Sequence, residues 1–327
     1  MDRGVIVLNE LGTPVLINRG ARELLGIPEG KLPPALPNDS ISALVRRVQA
    51  GERSVSETIE LEPAGRTGLR VQATDLADGV VVVLDDITEE LTAQRLRKQF
   101  VSNASHELKS PVSGIQSLAE AIRSAAHDDP DTTARFASKL VDETQRLSRL
   151  ISELLDLSKL DEPGAMSRHS IDLSHVARRE VDELFSDASD AGVKLTFEIE
   201  NDIETFGDEQ QIAQMIRNLL ENAIRYTSGG GSVALSLDQA GDHIQIRVVD
   251  DGIGIPLKHQ GRVFERFFRV DEGRDRDSGG TGLGLAIVKH VAELHGGYVS
   301  LQSRVEEGSM FTVTLPMRRP LNEQATE

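Results

Sequence analysis

Apolar positions change their spacing along the chain, and each change marks a region. Between residues 4 and 84 they form short β-rich runs at 4–8, 14–17, 54–61, 68–73 and 79–84. The first two are split by the turn signal Asn9-Glu10-Leu11-Gly12. Short helices are predicted at 19–25 and 41–49. From 89 to about 126 the period becomes helical, through Leu91, Leu96 and Phe100 into a stripe of Val101, Ala104, Leu108, Val112, Ile115, Ala119 and Ile122. His127-Asp-Asp-Pro-Asp131 reads as a turn with acidic N-cap candidates and a proline near the next helix start. A second amphipathic helix follows, with Phe136, Leu140, Leu147, Leu150, Ile151, Leu154 and Leu157 on one face. Beyond Glu162-Pro163-Gly164 the pattern mixes the two periods. Helices are predicted at 173–188, 209–226 and 284–295, and strands at 193–199, 232–237, 243–249, 298–303 and 310–315.

This organisation predicts a multidomain α+β protein. Residues 1–88 form an antiparallel sheet with small helices over one face. Residues 89–161 form an αα-hairpin. Residues 162–318 form layered helices on a mixed sheet, and 319–327 a polar, frayed tail. A single hairpin cannot cover both of its apolar stripes, so pairing with a second copy into a four-helix bundle is the economical solution, and a homodimer is expected.

Composition narrows the function. A net charge of −17 disfavours nucleic acid or an anionic membrane as the main partner, because either would repel the chain. There is no cysteine, hence no disulfide framework and no thiolate chemistry. No apolar run approaches the roughly 18 residues of a membrane span, and Met1-Asp2-Arg3 leads straight into the first strand with no signal peptide. The expectation is a soluble, cytoplasmic chain, with a membrane-anchored parent truncated upstream as the alternative. Residues 1–99 contain no His, Cys, Phe, Tyr or Trp. Haem ligation and aromatic grip on a flat cofactor both lack their residues there, so the region reads as a cofactor-free dimerisation or relay module, or a binder of a small apolar ligand.

Candidate chemistry begins at Phe100-Val-Ser-Asn-Ala-Ser-His-Glu-Leu-Lys-Ser-Pro111. At about 100° per residue, His106 points roughly 160° away from the apolar stripe, into water. Glu107 lies beside it and Ser110 one turn on. Taken alone, this is an ordinary surface histidine. Pro111, inside a periodic helix, deletes a backbone bond and costs about 3 kcal/mol, and that cost beside a solvent-facing His-Glu pair suggests a site. In the last region, Asn218-Leu-Leu-Glu-Asn222 places two carboxamides on one helix face, followed by Arg225 and Tyr226. Amide oxygens suit Mg²⁺, although a pair of surface amides is the plain alternative. Asp250-Asp-Gly-Ile-Gly254 follows a strand, where a carboxylate can accept from an exocyclic amine while glycines admit a flat ring. Phe264-Glu-Arg-Phe-Phe-Arg269 leads into a charged loop, and Gly279-Gly-Thr-Gly-Leu-Gly284 opens a helix whose free N–H groups can cradle an anion. The latter is not a P-loop, since no Lys-Ser/Thr follows, and it lacks the βαβ setting of a dinucleotide fold.

In this order and spacing, these motifs resemble the sensor histidine kinases of two-component signalling, over residues from about 95 to 317. Residues 218–227 look like the N box, 250–254 the G1 box, 264–268 the F box and 280–284 the G2 box of a Bergerat-type α/β-sandwich ATP-binding domain. The first region resembles a PAS sensor domain, through its opening Gly4-Val-Ile-Val-Leu8 and its closing Asp86-Ile87-Thr88. The resemblance implies a protein-histidine kinase with ATP and Mg²⁺. His106 would take the γ-phosphoryl group through Nε2, with Glu107 orienting the ring. ATP would be bound by Asn218, Asn222, Arg225, Tyr226, Asp250, Gly252, Gly254, Gly280, Thr281, Gly282, Leu283 and Gly284. Of these, Asp250 would take the adenine amino group and Asn222 would hold the metal, beneath a lid at 269–279. The partner would be a response regulator docked near 114–122. Ser110 stands where many relatives carry Thr in the Glu-x-x-Thr pattern tied to dephosphorylating the regulator; it keeps the hydroxyl without the methyl.

Other readings are weaker. Hydrolytic relatives of the same ATP-binding superfamily carry a catalytic Glu four residues before the metal-binding Asn, where this chain has Asn218. A non-catalytic scaffold would have no use for His106, Glu107, Asn222, Asp250 and the glycine loop together. A zinc site is unsupported, since the eight His residues are scattered.

Overall fold

A computed structural model describes residues 3–61, 67–125, 129–160, 168–270 and 280–317. The chain divides into two compact units, Met1–Ser102 and Asn103–Glu327.

The first unit contains β1 (Gly4–Asn9), β2 (Pro14–Ile17), α1 (Arg19–Leu25), α2 (Asp39–Gln49), β3 (Ser54–Leu61), β4 (Thr67–Leu76) and β5 (Gly79–Asp86). The strands make one antiparallel sheet in the order β2-β1-β5-β4-β3. Valines of β5 alternate as the pleat requires, with Val80, Val82 and Leu84 buried. They join Ile6, Leu8, Leu69 and Val71 in an aliphatic core closed by Ile41, Leu44, Val45 and Val48 of α2. Each such side chain contributes about 1.5–3 kcal/mol when fully buried. Asn38 starts α2 two residues before its apolar periodicity begins, by accepting from the N–H of Ile41 at 3.0 Å. Asn18 caps α1 and also accepts from the N–H of Val5 at 2.8 Å, fixing helix to sheet.

The helix α3 (Thr88–Ala125) runs through the unit boundary and continues past Pro111, which is buried. Its companion in the second unit is α4 (Pro130–Leu160). Residues 126–128 and 161–167, which carry most of the expected turn and the expected break at Glu162-Pro163-Gly164, lie outside the described residues. The hairpin's apolar positions remain largely open: Val112, Val141, Ile151 and Leu155 are exposed, and along α4 only Leu150, Leu157 and Leu160 are buried.

The remainder comprises β6 (His169–Asp172), α5 (Leu173–Asp190), β7 (Lys194–Ile199), β8 (Glu204–Gly207), α6 (Glu209–Tyr226), β9 (Ser232–Ala240), β10 (His243–Asp250), α7 (Leu257–Gln260), α8 (Gly284–Leu294), β11 (Tyr298–Arg304) and β12 (Gly308–Pro316). Five strands form a sheet in the order β11-β12-β10-β9-β7, parallel only at β7–β9, and β6 pairs with β8. Helices α5, α6 and α8 bury aliphatic faces, so the expected α/β layering is present. The short pieces β6, β8 and α7 had no sequence signal, being four residues each.

Candidate functional site

Helix α6 owes its position to a buried stripe of Ile212, Met215, Ile216, Leu219, Leu220 and Ala223, and to its cap, Asp208, which accepts from the N–H of Gln211. That burial turns Asn218, Asn222, Arg225 and Tyr226 onto the opposite rim, half-buried. They line a cavity of about 140 Å³ together with Asp250, Gly254, Gly280, Thr281, Gly282 and Gly284. Residues as far apart in sequence as Asn218 and Gly284 therefore meet in one place.

Two of the expected ATP-binding residues do not line this cavity. Leu283 is fully buried in the core at the start of α8. Gly252 acts through its backbone, donating to Asp250 Oδ1 at 3.0 Å. His106, Glu107 and Ser110 also lie outside it, on α3, with His106 and Ser110 exposed and Glu107 half-buried. Of the expected lid, Arg269 and Val270 line the cavity and 271–279 lie outside the described residues.

Asp250 is 6% exposed, and burial pushes its carboxyl above the ordinary range, opposed by the N–H groups of Gly252 and Ser309. Both bonds fall on Oδ1, at 3.0 and 3.2 Å, which leaves Oδ2 for a ligand. The loop after it is held close: Gly254 has φ +66°, and a Cβ there would lie 1.9 Å from the carbonyl oxygen of Arg304.

On the other side, the glycine loop reaches α8. Gly282 has φ +72° and its carbonyl accepts from the N–H of Phe267 at 2.8 Å, which ties the aromatic segment to the loop. A Cβ on Gly280 would lie 3.5 Å from both the Arg225 guanidinium and the Tyr226 hydroxyl. No side chain caps α8, so its first N–H groups are available to an anion. Three further donor atoms are unsatisfied: Asn218 Nδ2, and Nε and Nη2 of Arg269, are buried without a hydrogen-bond partner. Such groups cost about 1–3 kcal/mol each when left unpaired, and an anionic ligand would satisfy them. Among the described residues no group of three His, Cys, Asp or Glu could hold a metal alone.

Several lining residues were given no site role from the sequence, although Ile253 and Phe268 fall within the motifs 250–254 and 264–268. Ile253, Ile255, Val263 and Phe268 supply apolar walls, and Ser309 stands opposite Asp250 across the β10–β12 register. Glu153 comes from α4; it accepts from the Thr281 hydroxyl, and burial pushes its carboxyl up. Asp156 accepts from Gln214 at 2.7 Å nearby.

Comparison with known proteins bears on these features. Residues 96–163 match the family described as His Kinase A (phospho-acceptor) domain, and 207–319 match the histidine kinase-, DNA gyrase B- and HSP90-like ATPases. The sensor-like histidine kinase SenX3 of Mycolicibacterium smegmatis is 41% identical over 77% of this chain and 67% of its own. SenX3 of Mycobacterium tuberculosis is 34% identical over 97% of this chain and 78% of its own. Sensor histidine kinase WalK of Bacillus subtilis is 33% identical over 97% of this chain and 54% of its own. The crystal structure of histidine kinase ThkA, in complex with the response regulator protein TrrA, shares the fold, with a TM-score of 0.56 at 20% identity over 97% of this chain and 96% of that one. No helix among the described residues is long and apolar enough to cross a membrane.

Proposed function

We propose that this chain, which belongs to the sensor histidine kinases of two-component signalling, runs a two-step phosphoryl relay from ATP through His106 to an aspartate of a response regulator. The observation that carries the reading is the convergence of Asn218, Asn222, Asp250 and the Gly280–Gly284 loop on one cavity whose buried donors lack partners.

Asp250 Oδ2 accepts from the exocyclic amine of adenine, and Gly254 lets the base approach the backbone. The α8 N–H groups, Asn218 Nδ2, Arg225, Tyr226 and Arg269 face the phosphates. Asn222 would hold Mg²⁺ together with phosphate oxygens and water; when bound, the ion neutralises charge on the transferring group. Nε2 of His106 attacks the γ-phosphorus, the bond to the bridging oxygen breaks, and ADP leaves. Glu107 accepts from Nδ1–H, which fixes the tautomer and makes Nε2 the nucleophile. Aspartyl transfer follows in the bound regulator; the Ser110 hydroxyl would serve a separate phosphatase step, in which water displaces the phosphoryl group from that aspartate as inorganic phosphate.

The exposed apolar face of α3 and α4 supports a homodimer, whose second copy completes the bundle. Residues 1–88 are read as a PAS-like sensor, supported by the β2-β1-β5-β4-β3 sheet and its two small helices. Its signal travels along α3, and inserting one residue near Ala93, a rotation of about 100°, is expected to change kinase output.

Incubation with γ-labelled ATP and Mg²⁺ tests the relay. Acid-labile, alkali-stable label is expected on the chain, and chase with a cognate regulator should move it. Alkali-labile or absent label would overturn the reading.

A further inference from the structure

Three hydrogen bonds meet at the hydroxyl of Ser303 on β11. The N–H of Ile255 donates to it at 2.8 Å, the carbonyl of Gly308 lies 2.9 Å away, and the hydroxyl of Ser309 lies 3.0 Å away. A hydroxyl carries one proton. The Ile255 amide can only donate and the Gly308 carbonyl can only accept, so Ser303 gives its proton to Gly308. The proton shared between the two serines therefore comes from Ser309. Gln260 holds this arrangement in place, because its Nε2 donates to the carbonyls of both Ile255 and Ser303, at 2.8 and 2.9 Å.

Ser309 lines the cavity beside Asp250 and is 8% exposed. With its proton turned toward Ser303, its oxygen offers the cavity lone pairs only. The ionised carboxylate of Asp250 is likewise an acceptor only. The wall that meets the edge of the base is thus made of acceptors.

We propose that Ser303 is a specificity-determining positioning residue: by holding Ser309 as an acceptor beside Asp250, it selects a purine bearing an exocyclic amine against one bearing a 6-oxo group. This rests on the nucleotide reading of the cavity. A 6-oxo group would face acceptors with nothing to bond, and sites that leave buried polar atoms unpaired discriminate strongly. If Ser303 is removed, the Ser309 hydroxyl can rotate and donate to the oxo group.

The test is equilibrium binding of ATP and of inosine triphosphate, with Mg²⁺, to the full chain. The parent should prefer ATP. Ser303→Ala should lower the ATP-to-ITP preference about tenfold, on the order of one neutral hydrogen bond, and Ser303→Thr should restore it. On a Ser309→Ala background the same substitution should leave the ratio unchanged, since no hydroxyl remains to orient. A purely structural role would weaken both nucleotides alike, and an unchanged ratio in a folded Ser303→Ala protein overturns the proposal. If Ser303→Ala does not fold, Ser309→Ala alone decides: its ratio must fall, and an unchanged one overturns the proposal. A parent that binds neither nucleotide overturns the reading of the cavity, and this inference with it.

Discussion

The cavity beside α6 and the surface around His106 are built on opposite principles. One chain finishes the cavity: its walls are packed, Asp250 is buried, and donors stand ready without partners. The hairpin is unfinished. His106 is exposed, and Val112, Val141, Ile151 and Leu155 face outward with nothing among the described residues to cover them. The difference teaches how the two halves of one reaction can be regulated apart. A phosphoryl donor site must exclude water and satisfy charge, which suits a cavity with packed walls. A phosphoryl acceptor that serves two partners in turn must be reachable, so its activity depends on what comes to it.

Substitutions can break this contrast. Asp250→Asn removes a charged acceptor from a buried position and should weaken ATP binding about 10- to 100-fold, measured by calorimetry, while the oligomeric state stays unchanged. Leu155→Glu should do the reverse: sedimentation should show monomers and labelling should collapse, with ATP affinity within about twofold of the parent. If Leu155→Glu also abolished nucleotide binding, the two halves would not be separate.

Glu153 sharpens the comparison, because it is the hairpin residue that enters the cavity. Its carboxyl accepts from Thr281 and places a carboxylate where the proposed phosphates would bind. Glu153→Gln should tighten ATP several-fold, an effect of one charge at partly screened range, and tighten adenosine little.

The smallest effect concerns pH. The ring of His295 is buried between the carbonyl of Val291, which accepts from Nδ1 at 2.8 Å, and the N–H of Asp208, which donates to Nε2 at 3.0 Å. Burial, first among the causes, holds its pKa below the ordinary 6.5. The unfolded chain therefore takes up a proton before the folded one does. Stability should be complete above pH 6.5 and fall as pH drops from 6.5 toward the folded value. His295→Gln, less stable throughout, should lose that slope in thermal melts.

What the sequence revealed follows from how far apart the cooperating residues are. Asn218 and Asn222 share one helix face, and Asp250 and the glycine loop each sit at an element end, so local spacing exposed them. Ser309 was hidden because its place opposite Asp250 is a matter of strand register, and Glu153 because its place depends on how α4 meets α6 and α8. Leu283, one residue before α8, was grouped with the glycine loop although its side chain belongs to the core. The strands of the first unit were legible from alternation, but β4 extends three residues beyond its apolar run because pairing with β5 as far as Leu76↔Gly79 carries it on.

The most direct measurement follows ATP binding and acid-labile label together in the parent, His106→Gln and Asp250→Asn. His106→Gln is expected to bind ATP like the parent and take no label, whereas Asp250→Asn should bind ATP about 10- to 100-fold more weakly and lose label in proportion. Label on His106→Gln, or full labelling of Asp250→Asn, would contradict the division of donor and acceptor drawn from this structure.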